Sequence, residues 1–285
     1  MNHKIRSILF FSIFAVLIFS SAAVSQTPAL MKRTIFKTDK LDFGVGGTIT
    51  VTGAPKGSIK IIGEPRREIE ISAEIEIQAH TEEDLNTLAG VTGFLTDENI
   101  GSLSIISVGT NDKKYLKRMT KKKLPKSLMG LPFRIDYVIK VPQYSDLDIN
   151  GGDGDFELSG VSGSIKINYL KTNAKLDLVG GGIMATFGSG TVDVSIPARN
   201  WSGRFLDINV AAGTLNVSLP PGLNAEIDAS VLRTGNVINT YPNIKAGRKQ
   251  PFTPTSVAGK IGNGGVALKF IVGDGDLNLF EMKTR

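Results

Sequence analysis

The sequence predicts an all-β protein: a right-handed parallel β-solenoid, or β-helix, of short strands, with an N-terminal β-rich cap carrying one short helix. Three observations lead there. A five-residue unit (Gly, then Ser/Thr/Asp, then apolar, polar, apolar) recurs eight times, at Gly47, Gly57, Gly101, Gly154, Gly163, Gly190, Gly213 and Gly275. Its first and third apolar residues share one face of a strand, because strand side chains alternate. Second, the 285 residues include 32 glycines and only 7% aromatics, a balance suited to many turns between small or β-branched strand residues. Third, apolar-polar-apolar triplets begin at Leu147, Phe156 and Ile165, nine residues apart, and again at Leu206 and Leu215. Two such strands give a coil of roughly 20 residues whose apolar stripe stacks inward. A β-sandwich is the alternative, since it also alternates short strands with frequent turns. Sandwich strands usually run to about 5–6 residues, longer than these triplets.

The chain opens with Lys4 and Arg6, the apolar run Ile8 to Phe19, and the small residues of SSAAVSQ. That order reads as a secretory signal peptide over residues 1–25, cut after Ser25. An uncleaved anchor is the alternative, but the run is shorter than the roughly 20 residues that span a bilayer. Residues 26–46 form a lead-in, and 47–145 the β-rich cap. Here EIEISAEIEIQA, from Glu68 to Ala79, alternates as a long strand. In the helix after it, Thr81 caps, Asp84 completes a capping box and Gly90 ends it. GSLSIISV and FRIDYVIKVP are further strands, on either side of a basic insertion at 111–126. Residues 146–285 form the solenoid, with a long surface loop over 239–265 where Pro, Gly and polar residues concentrate, then two last strands.

The run of GDFEL, GSIKI, GTVDV and GTLNVSLPPGLNAEIDASVLRTGNV, closing with GKIGNGGVALKFIVGDGDLNLF, resembles the bacterial "putative adhesin" family, related to auto-transporter adhesin head domains. The likeness spans roughly Gly47 to Phe280 and is interrupted by the basic segment. It implies an exported β-solenoid and no particular chemistry.

Several chemistries find no residues to carry them. The chain has no Cys, which removes disulfides, thiolate nucleophiles, Cys-based zinc sites and a lipoprotein anchor. Once the leader is removed His80 is the one histidine, and there is no G-x-S-x-G elbow or P-loop. The two Gly-Asp-Gly-Asp clusters, ending at Asp155 and Asp276, raise the question of calcium. Calcium-binding solenoid turns follow G-G-x-G-x-D, and in that frame Phe156 falls where the liganding Asp belongs. Asp155 and Asp276 occupy a position filled by Ser or Thr in six of the eight units. A short hydrogen-bonding oxygen is what the position requires. Asp153 and Asp274 read as turn-corner acids. Asp148, Glu157, Lys166, Asp177, Asp193 and Asp207 could line one solvent face, and a glycosidase would need two such carboxyls flanking a cleft. A solvated outer face is the simpler reading.

One segment departs from the pattern. NDKKYLKRMTKKKLPK carries Lys113, Lys114, Lys117, Arg118, Lys121, Lys122, Lys123 and Lys126 against the single Asp112. The whole chain is +6, so outside the leader and this segment it is mildly acidic. Basicity is local. Interleaved with Tyr115, Leu116, Met119 and Leu124, the segment reads as a loop able to lie on an anionic surface, each cation contributing about 1 kcal/mol near acidic lipid. An ordinary solvated loop is the simpler reading of such a charge run.

The sequence thus predicts an exported, non-catalytic, adhesin-like protein of the periplasm, outer-envelope surface or extracellular space. It needs no cofactor or metal, and export argues against nucleic acid as partner. Its expected partner is an envelope or extracellular macromolecule, with an anionic envelope surface or polysaccharide as the candidate. A polysaccharide-processing enzyme working through acids on one face is the alternative.

Overall fold

The structure, a computed structural model, describes residues 29–120, 123–197, 201–247 and 251–282. The expected signal peptide and its cleavage point lie outside the described residues. Strands β1 (Met31–Asp42), β2 (Thr48–Thr52), β3 (Ile59–Glu64) and β4 (Glu68–Ala79) lead to helix α1 (Glu82–Ala89). Then come β5 (Gly93–Asn99), β6 (Ser102–Val108), helix α2 (Lys113–Met119), a 3-10 turn at Lys126–Leu128 and β7 (Phe133–Pro142). The chain continues through β8 (Asp146–Asp153), β9 (Phe156–Ser159), β10 (Ser162–Asp177), β11 (Gly180–Ser195), β12 (Ser202–Leu219) and β13 (Ala225–Thr234). It closes with β14 (Val237–Asn239), β15 (Ile244–Ala246), β16 (Ser256–Ile261), β17 (Val266–Asp274) and β18 (Leu277–Glu281). The described chain is all-β apart from those short helical pieces.

Two ladders of paired strands run through the molecule. The first is ordered β5-β6-β2-β8-β10-β11-β12-β17-β13-β16-β15. The second is ordered β1-β4-β7-β3-β9-β10-β11-β12-β18-β14. Strands β10, β11 and β12 belong to both, their first halves to one ladder and their second halves to the other. Leu147 and Phe156, nine residues apart in sequence, therefore stand in different ladders. Through the middle all pairing is parallel, in register but for a one-residue shift between β11 and β12 at Gly181/Gly182, with Ile165 between Leu147 and Ile183 and Ala174 between Phe156 and Val192.

The inner columns Ile49-Leu147-Ile165-Ile183-Leu206-Leu268 and Phe156-Ala174-Val192-Leu215-Leu277 contain no residue more than 2% exposed. Burying each larger side chain contributes about 1.5–3 kcal/mol. Both columns belong to one core, and the Phe156 and Tyr169 rings pack 5.2 Å apart within it.

The glycine of the repeated unit sits where one ladder turns into the other, except at Gly101, which turns the β5–β6 hairpin within the first ladder. A Cβ at Gly190 would lie 1.8 Å from the Thr172 carbonyl oxygen, one at Gly213 1.9 Å from that of Gly190, and one at Gly275 1.8 Å from that of Gly213. The glycines stack backbone on backbone, so any side chain there would occupy the neighbouring peptide.

Three expectations are corrected. The strands are not uniformly short: β10, β11 and β12 run 16, 16 and 18 residues, because hydrogen bonding continues through the corner and joins one glycine-led unit and one glycine-free triplet into a single strand. The stretch 239–265 is not a single loop, since β15 and β16 lie within it and β16 pairs antiparallel with β13. Val257 and Ile261 are buried there, an alternation that the surrounding Pro and Gly obscure. The basic insertion is not a plain loop, because residues 113–119 form α2. Its Lys, Leu, Arg and Met are all good helix formers.

At the N-terminal end the chain reverses direction. Strand β4 pairs antiparallel with β1 and β7, and β5 antiparallel with β6. Strands β2 and β3 pair in parallel with β8 and β9, joining this region directly to the strands that begin at Asp146. The outer strands of the two ladders also meet here. Lys37 of β1 donates to the Phe94 carbonyl of β5 at 2.7 Å and stands 4.1 Å over the Phe94 ring. Helix α1 carries the predicted Thr81 cap, the Asp84 N–H donating to Thr81 Oγ1 at 3.1 Å with Leu85 and Leu88 buried, but the Asp84 carboxylate does not return the contact that would complete a capping box.

Candidate functional site

The basic segment projects from the end of β6. Gly109 packs against the face of Phe133, where a Cβ would lie 2.0 Å from the ring. Its N–H donates to the Asp112 carboxylate at 2.8 Å, which closes the turn into α2. Leu116 is 8% exposed and anchors the helix on the core. After the 3-10 turn the chain returns through Met129 and Gly130, and the Thr110 hydroxyl donates to the Leu131 carbonyl at 3.2 Å, tying the two stems together.

The eight predicted cations have different positions. Arg118 is committed to a forked pair with Asp97 of β5, with Nη1 2.7 Å from the carboxylate. That hydrogen-bonded pairing raises the Arg118 guanidinium above its ordinary value and holds the Asp97 carboxyl below its own. Lys114 lies 5.1 Å from the Tyr115 ring centroid. Lys121 and Lys122 lie outside the described residues. Lys113, Lys117, Lys123 and Lys126 are brought together around a groove of about 600 Å³ floored by Leu116, Leu124 and Met129. These four lysines have no carboxylate partner among the described residues. The sequence identified the cations; it did not show that only some of them converge, or that apolar residues lie between them.

The acidic candidates are dispersed. Asp153 and Asp274 align with Lys171, Ser189 and Ala212 in one column, so three strands separate the two Gly-Asp-Gly-Asp clusters. At about 4.8 Å per strand that is roughly 19 Å, too far for one cation to reach both. Asp276 accepts the Asn236 N–H at 2.9 Å and Asp155 the Asn173 amide at 3.3 Å. Asp274 is gripped by Arg233 and by Thr234. The short oxygens of the repeat thus hold neighbouring strands, a longer-range role than the local turn contact predicted for them. Among the described residues no three metal-ligating side chains gather.

The six mid-strand residues do not form one row. Asp148, Lys166 and Asp207 lie on the first ladder, Glu157, Asp177 and Asp193 on the second. Glu157 pairs with Lys60 at 2.6 Å, Asp148 with Lys166 at 3.9 Å and Asp207 with Lys269 at 3.8 Å. Glu74, Asp136, Asp155 and Glu157 do border a groove of about 380 Å³. Burial acts to raise the Asp136 carboxyl, but hydrogen bonds from Arg134 and Ser58 outweigh it and hold the group below the ordinary range. It is a carboxylate held ionised, not a proton donor.

No family model matches the chain, and no curated protein matches it. Solved structures similar to it include a putative cell adhesion protein from Clostridium sporogenes, at 13% identity over 88% of this chain and 100% of that one, with a TM-score of 0.42. A putative adhesin from Bacteroides fragilis is 12% identical over 87% and 97%, with a TM-score of 0.32. A putative lipid binding protein from Parabacteroides distasonis is 15% identical over 87% and 97%, with a TM-score of 0.29. At this level of likeness they speak to neither a ligand nor a site.

Proposed function

We propose that this chain is an exported, non-catalytic, adhesin-like β-solenoid that binds an envelope or extracellular macromolecule, with the basic segment as its anion-binding surface. The observation that carries the binding role is the set of four lysines, Lys113, Lys117, Lys123 and Lys126, clustered without carboxylates on an excursion from the ladders. Parallel pairing of β8 with β10, β10 with β11 and β11 with β12 supports the coiled architecture. The cap over 47–145 and the solenoid over 146–285 are the two functional units of this reading. The sequence pattern of residues 1–25 supports export, and no helix among the described residues is long and apolar enough to cross a membrane.

The competing reading, a polysaccharide-processing enzyme, needs a carboxyl that keeps its proton at neutral pH. Among the described residues every carboxyl that its surroundings shift, at Glu68, Glu70, Glu76, Asp97, Asp136 and Asp274, is shifted down.

Two measurements test the proposal. The protein is expected to sediment with phosphatidylglycerol vesicles at low salt and to be released at about 0.5 M salt, where the screening length falls to a few ångströms. The variant combining Lys113→Gln, Lys117→Gln, Lys123→Gln and Lys126→Gln is expected to stay in the supernatant; equal sedimentation of the variant would remove the surface. Incubation with a panel of acidic and neutral glycans is expected to leave them intact, and shortened products would favour the enzyme.

A further inference from the structure

We infer that the groove beside α2 binds one molecule of a long-chain fatty acid, its tail on Leu116, Leu124 and Met129 and its carboxylate among Lys113, Lys117, Lys123 and Lys126. The inference rests on the reading of the basic segment as an anion-binding surface and adds the apolar half of the ligand.

Three features of the groove lead to this chemistry. Its volume of about 600 Å³ lies within the roughly 300–1,000 Å³ usual for small-molecule sites. Its lining divides cleanly, with hydrocarbon and thioether side chains below and ammonium groups at the rim, joined by one threonine, Thr120. A sugar or a nucleotide would leave that floor unmatched, and an uncharged lipid would leave the lysines unmatched. A carboxylate on an alkyl chain satisfies both.

The relief of the surface separates a monomeric ligand from a bilayer. Leu116 and Leu124 are only 8% and 9% exposed, while the four lysines around them are exposed. A segment that inserts into a membrane raises its apolar side chains above the charges so that they reach hydrocarbon. Here the apolar residues are recessed and the charges stand above them. The tail must therefore come down into the protein, as a single chain can and a packed leaflet cannot.

The test is a fluorescence titration of the protein with cis-parinaric acid at low ionic strength, with unlabelled ligands as competitors. Saturation at one site per chain is expected. Across saturated acids from eight carbons upward, competition should strengthen about three- to fourfold per added methylene until the groove is filled, the factor set by burying one CH₂. The long-chain alcohol of equal length should compete at least tenfold more weakly, because it offers the lysines no charge. Replacing the four lysines by Gln should bring the acid down to the level of the alcohol. Met129→Asp should weaken acid and alcohol together, with circular dichroism checking that the variant stays folded.

The outcomes separate this inference from the proposal beneath it. Vesicle sedimentation that is sensitive to the lysines, with no saturable binding of the free acid or no dependence on chain length, would overturn the groove and leave the anionic surface standing. Failure of both vesicle and acid binding would overturn both. The ligand series needs no substitution, so a variant that misfolds does not shelter the idea.

Discussion

From Asp146 to Leu219 every strand pairing is parallel, whereas between Glu68 and Pro142 the chain reverses direction and sends out a helical, basic excursion. Both regions feed the same two ladders and share one core. They differ in what the repeat constrains. In the central region the glycine, the short oxygen and the two apolar residues of each unit are all used in stacking, which leaves ordinary solvated pairs on the outside. In the N-terminal region the unit appears only at Gly47, Gly57 and Gly101, with none again until Gly154, and the sequence between these units is free to carry something else. The candidate site lies in that intervening sequence.

The two regions should respond differently to the same substitution at a glycine of each. Gly213 has φ +138 and a Cβ there would meet the Gly190 carbonyl; Gly101 has φ +71 with nothing within 4 Å of the same position. Gly213→Ala is expected to cost about 3–5 kcal/mol, since both backbone strain and collision with a neighbouring peptide must be relieved. Gly101→Ala is expected to cost about 1–2 kcal/mol, the strain of the left-handed region alone. Urea unfolding of the two variants measures the difference, and equal losses would show that the stacked corner is not a packing device.

A second pair of substitutions compares two buried tyrosines. Tyr137, in β7, shares a 2.7 Å hydrogen bond with Ser107 of β6, linking the two ladders where the chain reverses. Tyr169, in β10, buries a hydroxyl that has no hydrogen-bond partner among the described residues. Tyr137→Phe should cost about 1–3 kcal/mol because it orphans a buried serine. Tyr169→Phe removes an unsatisfied group and should be neutral within about 0.5 kcal/mol or stabilising. Thermal melts of the two variants that moved by the same amount would contradict this account.

Legibility in the sequence divides along the same line. The pentads and their nine-residue spacing located the strands of the central region, because strand alternation and the glycine corner each leave a mark on adjacent residues. Thr81 and Asp84 marked α1 for the same reason. Long-range consequences left no such mark. That β10 runs unbroken from Ser162 to Asp177 depends on hydrogen bonds to neighbours on both sides, and that β16 pairs with β13 depends on residues roughly thirty positions away. For the candidate site, the charge run was plain. Its sorting was not: Arg118 is removed by Asp97, which belongs to strand β5, and Leu124 and Met129 join Leu116 only because the chain turns back after α2.

The smallest expected effect concerns acid, and it separates the two regions by pH. Arg66 reaches Glu64, Glu68 and Glu70, while Lys40 and Lys140 pair with Glu68 and Glu70 across β1 and β7. Hydrogen bonds from Lys40 and then Arg66 hold the Glu68 carboxyl below its ordinary value of 4.5, and Arg66 followed by Lys140 does the same for Glu70. Glu76 is held down by Gln78 and Lys32, and Asp97 by Arg118. A carboxyl whose folded value is depressed adds stability that is fully present above the unfolded value and disappears as pH falls through the folded one. Acidification below about pH 4 should therefore loosen β1, β4, β5 and β7 before β10, β11 and β12, where Asp274 on the neighbouring β17 is the one comparably shifted carboxyl among the described residues. Each of these carboxylates keeps about a third of its surface in water, so its individual effect is slight and falls further with added salt. Hydrogen exchange at pH 6 and pH 3, corrected for the intrinsic pH dependence of the amide rate, resolves the regions. Protection lost first in β10 to β12, or lost uniformly, would mean that the ion pairs around Arg66 do not set the acid limit of the N-terminal region.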